Sequence, residues 1–294
     1  FKVQDTNHYM TVASPYLFCL YLLSMLIVLL TILILLVLII FKHVNKKQIE
    51  FKCFLITIPT SSRRRKNFLG NHDSSIPLEI IYSKDTKIPT NAIKYKSLIE
   101  KRHYNEALRL HYNNNHKRPD ITYFNLGAIG CYMGHMEFYR RCFDQGLKYA
   151  VVFEDNVIVK NKQFYYEIQK VIDTKKDNFE MCFFHCLSRY IDTSVPVVNG
   201  IERVKWISSC KCYLIHVENM KKYYKDFFPI DNHVDMKHED LIANGARIYY
   251  KDLRKHMKID RSGPSTIGHS DWKRKEFFSR QYPTKTTKVL TYGY

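Results

Sequence analysis

The sequence predicts an α/β layered domain with a mixed, mainly parallel central sheet, preceded by one membrane-spanning helix. Three observations carry this. From residue 51 onward, short β-branched and aromatic runs alternate with helix-length segments, the pattern of strands joined by helical crossovers. Tyr16 to Phe41 holds no charged residue for 26 positions. Between two apolar runs, in VVFEDNVIV at 151–159, stand the acids Glu154 and Asp155 and the amide Asn156.

The N-terminal tail, 1–15, begins with Phe1 and not Met, which leaves the true N-terminus open. As a helix, 16–41 would be roughly 39 Å long, more than a bilayer core of about 30 Å requires. It is too long for a signal-peptide apolar region and lacks a clean small-residue cleavage site. Lys42, Lys46, Lys47 and Lys52 follow it, and only Lys2 precedes it. The positive-inside rule then places the C-terminal domain in the cytosol. No Asn-x-Ser/Thr sequon argues for a lumenal side.

After a polar linker, 42–50, CFLITIP (53–59) reads as a first strand ended by Pro59, and PLEIIYS (77–83) as a second. Residues 84–120 are polar and basic, with NNNHKRPD (113–120) as a loop. A helix is expected over about 128–147, turning Ile129, Met133, Met136, Phe143 and Leu147 to a core, with Gly146 at its end. VVFEDNVIV follows, then a helix at 163–173, a strand at 180–186, one or two strands over 204–216, a helix at 217–228 and a strand at 246–253. The polar tail covers 276–294.

A net charge of +18 has two readings: an anionic partner, or a codon composition rich in A and T. The Lys and Arg residues are scattered and do not interleave with clustered aromatics, which argues against a nucleic-acid-binding protein. Of the cysteines outside the span, Cys182 and Cys186 are spaced CxxxC and Cys210 and Cys212 CxC. Both are poor matches to structural zinc patterns and read as core thiols.

In open α/β sheets, ligands bind at the carboxyl ends of strands. Glu154-Asp155-Asn156 falls there. Buried acids need a counter-charge or a cation, and this triplet suits a divalent cation with oxygen ligands sharing its shell with phosphate. A turn of solvated acids is the plainer alternative.

LGAIGCYMGHMEFYRRCFDQGLKYAVVFEDNVIV, 126–159, resembles the core signature of glycosyltransferase family 25. Gly127, Gly130, Cys131 and His135 match, as do Glu154 and Asp155. Gly134 stands where that family usually has Ser, and Asn156 where it has a final Asp. Other segments agree in order: CFLITIPTSSRRRKNF (53–68), with Thr57 for the usual Asn, then NFEMCFFHC, SSCKCYLIHVENMKKYY, FPIDNHVDMKHEDL (228–241) and GPSTIGHSDW (263–272). The family domain is thus expected over 51–275.

The resemblance implies a GT-A-like nucleotide-sugar transferase domain. It implies transfer of a hexose from a UDP-sugar, with inversion, to a glycan, lipid-linked or protein hydroxyl, assisted by Mn²⁺ or Mg²⁺. Asp155 is then the first metal ligand, with Asn156 and His269 as further candidates. Glu154, Gly130, His135 and Ser270 fall to the donor pocket, and Arg63, Arg64 and Arg65 to the phosphates, where a planar guanidinium fork is useful. A solvated basic loop is the alternative for any one arginine, and a hydrogen-bonded structural role for His135. The general base is Asp235, or Glu239 or Asp240 nearby; acids in a first helical turn are common without any such role. The weaker donor at Asn156 also leaves open an inactive relative that binds a glycan or partner. Relatives working in the secretory lumen (ER/Golgi) are the alternative to the cytosolic side.

Overall fold

The computed structural model describes residues 15–44, 49–112 and 124–260, in two compact units divided at Gln48 and Ile49.

The first unit contains one helix, α1 (Pro15–Val44). Its stretch Leu20–Val37 has a mean hydropathy of 3.1 and no buried residue. Ser24 and Thr31 hydroxyls donate to the carbonyls of Tyr21 and Ile27, so the helix satisfies its own polar groups, as a spanning segment must. By length and composition α1 can cross a membrane, a property it shares with signal sequences.

The second unit is a three-layer α/β domain. Its strands are β1 (Phe51–Thr57), β2 (Leu78–Tyr82), β3 (Tyr149–Glu154), β4 (Val157–Val159), β5 (Met181–Phe183), β6 (Ser188–Ile191), β7 (Ile201–Ser208), β8 (Cys212–His216), β9 (Ile248–Lys251) and β10 (Met257–Ile259). Eight form the central sheet in the order β2-β1-β3-β8-β5-β9-β7-β6, and β4 pairs with β10 separately. β1 runs parallel to β2 and β3, and β5 to β9; the other neighbours are antiparallel. Followed across the sheet, these pairings leave only β7 and β8 reversed, so the sheet is mixed and mainly parallel in direction.

Strands buried on both faces read as continuous apolar runs, and the alternation sorts them. Phe54, Ile56, Val152, Phe183 and Tyr213 face one core with Ile129, Met136 and Phe138 of α5 (Leu126–Asp144). Cys53, Leu55, Val151, Phe153 and Leu214 face the other, with Phe68 of α2 (Ser62–Asn71) and Phe164 and Ile168 of α6 (Gln163–Lys175). Fully burying such a side chain contributes about 1.5–3 kcal/mol. Cys182, Cys186, Cys210 and Cys212 are buried free thiols in these two cores, as core residues should be.

Several elements differ from expectation. RRRK forms not a loop but the first half of α2. The polar stretch after 84 contains α3 (Pro89–Ala92) and α4 (Lys101–Tyr112); 113–120 lies outside the described residues. The expected helix at 217–228 is α7 (Val217–Lys221) followed by a tight 3-10 turn, Tyr224–Phe227. Pro229, which has no N–H to extend it, follows after the capping residue Phe228. The last helix among the described residues, α8 (Val234–Ala243), carries the acids of the KHED segment.

Candidate functional site

β1, β2 and β3 are adjacent and parallel, so their carboxyl ends open on one edge. Register places Ile56 beside Glu154 and Thr57 beside Tyr82. A cavity at this edge is walled by the ends of β1 and β3, by Ser83–Thr86 after β2, and by Gly127, Gly130 and Cys131 of α5.

The wall is closely fitted. Asn125 caps α5 by accepting from the Ala128 N–H at 2.8 Å, the usual role of Asn at that position. Thr86 Oγ1 accepts from Gly130 N–H at 2.8 Å and donates to Leu126 O at 2.6 Å, while Ser83 Oγ donates to Gly130 O at 2.6 Å. A Cβ on Gly130 would stand 2.6 Å from Lys84 O. Glycine is therefore required for the loop after β2 to lie on the helix.

Glu154 ends β3, and Asp155 and Asn156 form the turn to β4. Asp155 is 7% exposed. Thr57 Oγ1 donates to its Oδ2 at 2.7 Å, and Arg64 Nη1 is 3.8 Å from Oδ1. Burial pushes the Asp155 carboxyl above its ordinary range, and Thr57, Arg64 and Ser61 only partly offset it. Asn156 Oδ1 is buried and has no hydrogen-bond donor. Asp155 and Asn156 thus both line the cavity, one with an under-neutralised carboxyl and one with an unpartnered oxygen.

Glu154 lies against other partners. Lys211 Nζ donates to its Oε2 at 2.9 Å. Burial raises this carboxyl, but the Lys211 ammonium outweighs it, and it ends below its ordinary range. His135 is fully buried, with Tyr213 Oη 2.8 Å from Nδ1; burial lowers the imidazole to about 4. It is neutral near pH 7. The Cys131 thiol is pushed up by burial and by Glu154, with a smaller push from Asp235.

The remaining candidates are distributed as follows. Asp235 is half-buried in the first turn of α8, near enough to Cys210 to be the leading charge raising that thiol after burial itself. Glu239 and Asp240 are exposed, and Asp240 pairs with Lys237 at 3.3 Å. Arg65 donates to Ile58 O at 3.3 Å and lies over the Tyr82 ring, whereas Arg63 is exposed. His269 and Ser270 lie outside the described residues. The structure thus gathers Asp155, Asn156, Arg64, Glu154, His135 and Gly130 at one edge. It adds Thr57, Lys211 and Tyr213, which sequence reasoning had not assigned to the site.

The sequence model of glycosyltransferase family 25, described as an LPS biosynthesis protein, matches residues 50–237. The chain belongs to glycosyltransferase family 25. The matched region contains β1 to β3, α5 and the acid turn, so the family's defining segment is also the cavity wall. No curated protein matches the chain. Among solved structures, A197 from STIV is similar with 11% identity and a TM-score of 0.38, over 69% of this chain and 82% of that one. Mannose-1-phosphate geranyltransferase from Thermus thermophilus is similar with 8% identity and a TM-score of 0.31, over 69% and 73%. Both are too distant to bear on the activity of this family 25 chain.

Proposed function

We propose that this family 25 protein is a hexosyltransferase of GT-A type. It moves galactose or glucose from a UDP-sugar to a hydroxyl of a glycan, lipid-linked sugar or protein side chain, with inversion. The observation that carries the reading is the cavity at the carboxyl ends of parallel strands, lined by the under-neutralised Asp155 carboxylate and by Asn156 with its unpartnered oxygen.

That oxygen pair fits a hard divalent cation, Mn²⁺ or Mg²⁺, which keeps a few protein oxygens and shares phosphate oxygens. Bound there, the cation would supply Lewis-acid stabilisation of the leaving diphosphate. The chain's own residues do the rest. The amino end of α5 reaches the cavity through Gly127, where a helix N-terminus favours an anion. Arg64 adds a guanidinium beside Asp155. Asp235 is the base: it takes the acceptor hydroxyl's proton as that oxygen bonds to the anomeric carbon and the bond to UDP breaks.

The test is UDP-sugar hydrolysis by the full chain in detergent, with and without Mn²⁺. The expected result is metal-dependent turnover that falls at least about a hundredfold in Asp155→Ala. Absence of both turnover and metal-dependent UDP binding would overturn the reading. Asn156, neutral where the family carries an acid, favours a second reading: a family member that binds a glycan or partner without transfer. Asn156→Asp would then create turnover absent from the parent.

The helix α1 is taken as a single-pass anchor with the catalytic domain in the cytosol, supported by the lysines that follow the span. On sealed membranes, added protease should degrade the domain. Full protection would put it in the ER or Golgi lumen instead.

A further inference from the structure

Cys131, His135 and Glu154 form a second constellation beside the acid turn. Cys131 and His135 are four residues apart on α5, so they share one helix face. The end of β3 brings Glu154 to them. One donor atom from each lies within 4.8 Å of the others, and no other set of His, Cys and acidic donors among the described residues is gathered this way.

A second observation points to a ligand. His135 is fully buried, and its Nε2 has no hydrogen-bond partner. A buried polar atom left unpaired is costly to the fold. Its other nitrogen is 2.8 Å from Tyr213 Oη, the outer contact by which proteins orient a ligating imidazole. Lys211 takes Glu154 Oε2, which leaves Oε1 as the second acceptor of the same carboxylate.

We propose that Cys131 Sγ, His135 Nε2 and Glu154 Oε1 bind one thiophilic divalent metal of the Zn²⁺ class. Sulfur, imidazole and carboxylate together select zinc over magnesium or manganese. Ligands at about 2.0–2.3 Å around a tetrahedral ion stand roughly 3.4–3.7 Å apart, so donors within 4.8 Å of one another reach that geometry by side-chain adjustment. Binding displaces the Cys131 proton to solvent and leaves the metal–thiolate bond in place of S–H. Cys131 and Glu154 both line the cavity, so the fourth position opens toward it. The site is separate from the Asp155–Asn156 oxygen pair and does not rest on the transfer reading.

The test uses the full chain in detergent, stripped with a chelator and titrated with Co²⁺. One equivalent should bind with a thiolate-to-cobalt charge-transfer band, displaced by one equivalent of Zn²⁺ but not by excess Mg²⁺. The band should vanish in Cys131→Ser and persist in Cys210→Ser and in Asp155→Ala. Tyr213→Phe should weaken Co²⁺ binding about tenfold or more. If circular dichroism shows Cys131→Ser unfolded, Glu154→Gln replaces it and must weaken binding at least about tenfold. No band in the parent, a band surviving in folded Cys131→Ser, or unchanged affinity in folded Glu154→Gln overturns the site.

Discussion

Glu180 precedes β5 at the amino end of the sheet, and Asp155 follows β3 at the carboxyl end. Both are buried acids, and their surroundings are opposite. Glu180 accepts from the backbone N–H of Arg247, from its Nε at 3.1 Å and from its Nη2 at 2.8 Å, with Lys222 at 3.6 Å. Burial raises its carboxyl, yet Arg247 outweighs burial and holds it below the ordinary range. Asp155 keeps only the hydroxyls of Thr57 and Ser61 and a guanidinium at 3.8 Å, and burial wins. The difference separates an acid that closes the fold from one left short of partners. A group held short in a cleft is poised for a ligand.

The largest effect separating the two should come from Arg247→Met. Removing one partner of a buried ion pair strands the other charge and costs about 3–5 kcal/mol. Here about 3 is expected, because Lys222 remains 3.6 Å away. Asp155→Asn removes a charge that burial already disfavours, so it should cost less than half as much. Denaturant unfolding of the full chain followed by tryptophan fluorescence measures both. Equal losses would mean that Asp155 is as structural as Glu180.

The two ends were not equally readable in the sequence. Strands β1, β3 and β5 were visible because burial on both faces leaves continuous apolar runs. The acid turn was visible because it interrupts one. α2 was missed because RRRKNF has no apolar period; only Arg64 and Phe68 turn inward. In α4 the stripe Tyr104, Ala107, Leu110 is hidden among charged neighbours. The reversal of β8 between β3 and β5 is a pairing choice that alternation cannot encode. At the site, Thr57 and Asp155 meet across 98 positions, and Lys211 lies between two buried cysteines with no local sign of its partner. Gly134 shows the reverse case. A Cβ there would stand 2.7 Å from Ile56 Cγ2, so packing against β1 accounts for glycine where the family usually has Ser.

A third acid extends the contrast to pH. Glu79 on β2 accepts from Lys52 at 2.6 Å, Arg141 at 2.7 Å and Gln145 at 2.9 Å, tying the end of α5 to the sheet edge. Burial raises its carboxyl, and these three donors together outweigh that and bring it to about 2 from an ordinary 4.5. The stability from this depression is fully present above pH 4.5 and lost as pH falls through about 2. Asp155 has the opposite sign: its raised carboxyl favours the folded state in acid and ceases to do so as pH rises through its shifted value. Glu79→Gln should therefore lower stability at neutral pH by about 1 kcal/mol, discounted for the exposure of the cluster. Between pH 4.5 and 2 the difference from the parent should shrink toward zero. Melting temperatures of both chains across that window measure it. A gap that stays constant would show that Glu79 acts through packing, and would leave the satisfied acids without an electrostatic share in the fold.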